Sequence, residues 1–144
     1  MQKLTTATAI LAAGRAAYSF WYIAVGLLAA VGMEKPLWST PMEANSLGQL
    51  DLLQYLIWFS YAAGYALTAY LLINRSRWAM VTAGYAFAVD MSYWVTMATH
   101  ESYVSLMSLA DGYLDLVVNS VNFLILIGTA LVTARQWLLP VDRV

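Results

Sequence analysis

A single carboxylic acid, Asp90, stands between Val89 and Met91 in the stretch "YAFAVDMSYWVTMATHESY" (residues 85–103). A charge at such a depth in an apolar helix costs roughly 2.5–3.5 kcal/mol on membrane-insertion scales. Such a residue therefore needs a partner, a proton or a task. A second polar series follows it: Asp111, Asp115, Asn119 and Asn122. Spacings of four, four and three put these within a sector roughly 80° wide on one helix face. Two chemistries fit. In the first, Asp90 and Asn122 hydrogen-bond and hold two neighbouring helices together. In the second, the stripe is a hydrated path for protons or a polar solute, entering at Asp111 and Asp115 and ending at Asp90. Arg15, His100 and Glu101 are further candidates. Arg15 is expected to snorkel to the headgroups from near the start of the first helix; the alternative is a partner for an acid or a lipid phosphate, with Asp90 too deep for it to reach. His100 is either a solvated loop residue or a proton-accepting entrance.

Other chemistries are excluded or weak. There is no cysteine, so there is no disulfide and no thiolate metal site, and one histidine cannot build an imidazole cluster. Met80, Met91, Met97 and Met107 lack a repeated spacing that would gather thioethers around copper(I). The familiar nucleotide-binding, zinc-protease and serine-hydrolase motifs are missing. A net charge of −1 gives no reason to expect nucleic acid. Dense aromatics, "YSFWY" at 18–22 with Tyr55, Trp58, Phe59, Tyr61, Tyr65, Tyr93 and Trp94, suit either packing or an aromatic-lined quinone pocket.

The elements that must carry these residues are set by composition. The chain has 144 residues, 62% hydrophobic and 10% charged, whereas soluble domains run near 45–50% and 25%. Four segments approach the roughly 20 apolar residues that span a bilayer: about 11–33, 50–73, 78–98 and 112–134. Between them lie "EKPLWSTPMEANSLGQ", "NRSR" and "THESYVSLMSLAD", rich in helix-ending residues. The first segment is too long for a signal-peptide core and is read as a retained helix. The expectation is one all-α domain, a bundle of four transmembrane helices.

Lys3, Arg15, Arg75, Arg77, Arg135 and Arg143 fall on one side of this scheme, and only Lys35 falls on the other. By the positive-inside rule both termini are cytoplasmic. Ser60, Gly64 and Thr68, Ala79 and Ala83, Gly84 and Ala88, and Gly26 and Ala30 supply small residues at four-residue spacing for close helix contact.

The layout resembles the DoxX-like family of small four-helix bacterial membrane proteins. Arg15 and Gly26 in the first helix, the run "AAGYALTAYLLINRSRWAMVTAGYAFA", and the end "NFLILIGTALVTARQWLLPVDR" with Asp142 and Arg143 carry the resemblance. Where the family tends to place a glutamate, this chain has "YLIWFSYAAG". The resemblance implies an inner-membrane protein associated with oxidoreductase complexes, in some members a quinone-linked subunit. Its partners would be the lipid bilayer and other membrane subunits or further copies of itself. The leading expectation is an accessory or structural subunit. An oligomeric proton or small-solute transporter comes second, and an enzyme ranks last.

Overall fold

A computed structural model describes residues 2–33, 36–39, 47–99 and 109–138, without the side chains of 38 and 109–111. The described residues form four helices and no strand: α1 (Gln2–Ala30), α2 (Leu52–Ile73), α3 (Ala79–Ala98) and α4 (Leu109–Leu138). Among the described residues between α1 and α2 is a 3-10 turn, Pro36–Trp38. Asp51 begins α2 with a reciprocal cap: its carboxylate accepts from the Gln54 amide at 2.8 Å, and its own amide donates to the Gln54 side chain at 2.9 Å. Two of the first orphan amides are thereby satisfied. At the other end of α2, Arg75 takes a left-handed φ of 53° and reverses the chain into α3.

Consecutive helices run antiparallel. Gly26 of α1 meets Tyr55 of α2, whereas Ala9 shares a cluster with Leu72. Thr68 donates to Thr82 across α2 and α3 at 2.9 Å, and Trp58 lies edge-on to Tyr93 near the opposite end. Phe87 packs on Phe123 and Trp94 reaches Asp115, which sets α4 against α3. Gly128 of α4 is in close contact with Thr8, so α4 also returns to α1. The result is an up-down-up-down square. Lys3, Arg75, Arg77 and Arg135 gather at one end, and Asp51 and Asp115 at the other.

The core is built of layers. Ala9, Leu72, Ala79 and Val132 give one residue per helix at the basic end. A larger layer of Ala12, Ala16, Tyr61, Ala62, Tyr65, Ala86 and Ile125 fills the middle. Small residues are placed where helices nearly touch. A Cβ on Gly64 would meet the Ala86 Cβ at 2.9 Å. By contrast, Leu52, Leu53, Phe59, Ile73, Val81, Leu116 and Leu131 all lie exposed. A helix with large apolar residues outside and small ones inside is suited to lipid rather than water.

Three of the helices are long and apolar enough to cross a membrane: Gln2–Ala30, Leu52–Ile73 and, within α4, Gly112–Leu138. The fourth, α3, has 20 residues and is diluted by Asp90, Ser92 and Thr96. One expectation changes materially. The first helix begins at Gln2, not near Leu11. The residues before Leu11 fall outside the apolar segment read from sequence, yet they are helical and Thr8 is buried against α4.

Candidate functional site

Because α1 starts early, Arg15 is not near its end. It lies about 20 Å along the helix from Gln2, at mid-height, where Asp90 and Asn122 also fall within α3 and α4. Arg15 is 7% exposed and Asp90 5%. The expected snorkelling is thus overturned: the guanidinium turns inward. Its Nη2 meets Asp90 Oδ2 at 2.6 Å in a buried ion pair. Its Nε donates to Asn122 Oδ1 at 2.9 Å, and Nη1 donates to Ser19 Oγ one turn further along α1. Asn122 Nδ2 in turn donates to Asp90 Oδ2 at 2.9 Å. This last bond is the pairing expected from sequence, now part of a triangle that the arginine closes.

The second helix contributes aromatic faces. The guanidinium carbon lies 5.4 Å from the Tyr61 ring centre and 5.6 Å from that of Tyr65, with Tyr18 of α1 at 5.8 Å. Desolvated cation–π contacts of this kind are worth about 2 kcal/mol. Every helix therefore supplies something: Arg15, Tyr18 and Ser19 from α1, Tyr61 and Tyr65 from α2, Asp90 from α3, Asn122 from α4. In the square, α1 and α3 are diagonal, so the ion pair spans the bundle's centre. Tyr65 is fully buried. Its hydroxyl lies near the Asp90 carboxylate but makes no hydrogen bond of ordinary geometry among the described residues.

Elsewhere the helix 4 stripe divides. Asn122 is buried in the triangle, and Asn119 above it is half-buried. Asp115, also half-buried, accepts a hydrogen bond from Trp94 Nε1 at 3.1 Å. The Asp111 side chain, His100 and Glu101 lie outside the described residues. From Tyr18 a file of rings leads toward the acidic end: Tyr18 to Tyr22 at 4.8 Å, Tyr22 to Trp58 at 6.5 Å, Trp58 to Tyr93 at 6.0 Å. All three pairs are edge-on, a favoured packing geometry.

No group of three or more metal-ligating acids, histidines or cysteines occurs among the described residues. What the site can do chemically is hold charge. It pairs a permanent cation with a carboxylate, gives each a neutral hydrogen-bond partner, and places rings beside the cation. Comparison with family models, curated proteins and solved structures finds no match.

Proposed function

We propose that the chain is a small inner-membrane protein, four times spanning with both termini cytoplasmic, that serves as an accessory or structural subunit of a membrane complex. The observation that carries this reading is the mutual engagement of the central polar groups of three helices. Arg15 is engaged by Asp90, Asn122 and Ser19 at once. These bonds commit a cation, a carboxylate and an amide from three helices to one another, as a brace requires. Lipid gives no hydrophobic drive for helices to associate, so internal polar contacts and close packing must hold them. The α3 helix, about 30 Å long, matches the hydrocarbon thickness and carries Asp90 near its middle. The exposed apolar residues around the bundle suit lipid and neighbouring subunits alike. The DoxX-like resemblance makes an oxidoreductase the first complex to look for.

A second reading, an oligomeric proton or small-solute transporter, draws support from two features. The Tyr65 hydroxyl is buried beside Asp90 without an ordinary hydrogen bond among the described residues, and the ring file runs from the cluster toward Asp115. A quinone would find its aromatic surroundings along that file.

Purification of the tagged chain in a mild detergent separates the readings. Co-migration with other membrane subunits at fixed stoichiometry is expected. A chain that purifies alone and passes protons or a small solute in proteoliposomes, with flux lost in Asp90→Asn, would establish the transporter instead.

A further inference from the structure

Between α2 and α3, on the outside of the bundle, runs a groove of about 420 Å³ lined by Ser60, Ala63, Gly64, Leu67, Val81, Thr82 and Tyr85. Its floor is low because Gly64 lies against Ala86. The hydrogen bond from Thr68 to Thr82 ties the two helices beside it. The α2–α3 turn at its end holds Arg75 and Arg77, both exposed. Arg77 stacks on Trp137 at 4.4 Å, and Arg75 makes no side-chain ion pair among the described residues. Trp78, 68% exposed, stands beside them as an interfacial anchor.

The geometry points to a binding site for one anionic phospholipid, its acyl chain in the groove and its phosphate at Arg75 and Arg77. Depth is the first argument. Val81 is four residues past Arg77, about 6 Å, and Ser60 is fifteen before Arg75, about 22 Å. On α2 the lining begins at Leu67, about 12 Å from Arg75, so the groove lies within the leaflet on the turn's side, whose hydrocarbon is roughly 15 Å deep. Charge is the second. Exposed Arg75, with Arg77 two residues on in the turn that joins the groove's two helices, complements a phosphate, and anionic lipid is concentrated on the side where basic loops collect. An arginine fork also holds phosphate in two parallel hydrogen bonds. Neither the groove nor the turn takes part in the Arg15–Asp90 cluster. The proposal rests on the membrane placement above and is indifferent to which complex the chain joins.

Native mass spectrometry of the detergent-solubilised full chain, titrated with phosphatidylglycerol or phosphatidylcholine of identical acyl chains, tests it. One phosphatidylglycerol is expected to bind on the order of 10-fold more tightly than phosphatidylcholine. The Arg75→Gln/Arg77→Gln variant should lose that preference, Ala63→Phe should lose binding by filling the groove, and Arg135→Gln should change neither. Equal affinity for both lipids overturns the proposal. So does Ala63→Phe retaining full affinity, which marks a headgroup-only surface site. A dimer that Ala63→Phe abolishes, without lipid preference, assigns the groove to a second copy and also overturns it. Alkaline washing of membranes reports separately on placement: a chain released by that wash faults the membrane reading, whereas loss of lipid preference faults only this site.

Discussion

Arg15 and Asp90 are each costly alone and tolerable together. Removing one partner of a buried pair leaves an uncompensated charge, typically at a cost of about 3–5 kcal/mol, whereas replacing both with apolar groups of similar volume is often neutral or better. Asp90→Asn retains a carbonyl for Asn122 but strands the guanidinium, so we expect a loss of about 3 kcal/mol, read by reversible unfolding in mixed micelles. Arg15→Met with Asp90→Leu should recover most of it, although Asn122 and Ser19 then lose polar partners. A double variant as unstable as the single one would contradict the brace. Half of this cluster was legible in the sequence. Asp90 and Asn122 announce themselves as polar residues at matching depth on adjacent helices. Arg15 does not, because its depth depends on where α1 begins, and the threonine-rich "LTTATA" conceals that start. Tyr61 and Tyr65 were visible only as two of many aromatics, since nothing local distinguishes a ring that covers a cation from one that meets lipid.

At the scale of the element, residue size decides which helix faces touch. Gly64 and Gly84 read alike as members of small-residue patterns, yet they differ in surroundings. A side chain on Gly64 runs into Ala86, while one on Gly84 meets nothing within 4 Å. Gly64→Leu should separate α2 from α3, strain the Thr68–Thr82 bond and cost about 1–3 kcal/mol by overpacking. Gly84→Leu should be near neutral, and the same unfolding measurement ranks the two. Equal losses would mean that α2 and α3 do not pack as described. Periodicity could not separate these glycines. In a membrane helix both faces are apolar, so the contrast that marks a buried face in a soluble protein is missing, and only contact with a particular neighbour tells one small residue from another.

For the whole molecule, the separation of charge follows from the antiparallel square. Each basic residue among Lys3, Arg75, Arg77 and Arg135 is near a helix terminus at the same end, and Asp51 and Asp115 are near termini at the other. Basic residues are retained on the cytoplasmic side during insertion, while acids contribute little to orientation. The end carrying the start of α1 and the end of α4 should therefore face the cytoplasm. The chain contains no cysteine, so single introduced thiols report cleanly. Lys3→Cys and Asn74→Cys, both at exposed sites on the basic end, should resist a membrane-impermeant maleimide in intact cells and react once the membrane is opened. Asp51→Cys, exposed at the opposite end, should react without opening. If Lys3→Cys and Asn74→Cys label on opposite sides, the even number of crossings fails, and with it the alignment that brings Arg15, Asp90 and Asn122 to one depth. If all three simply exchange sides, the bundle survives and only its orientation is reversed. The anionic lipid expected at Arg75 and Arg77 would then have to be sought in the outer leaflet.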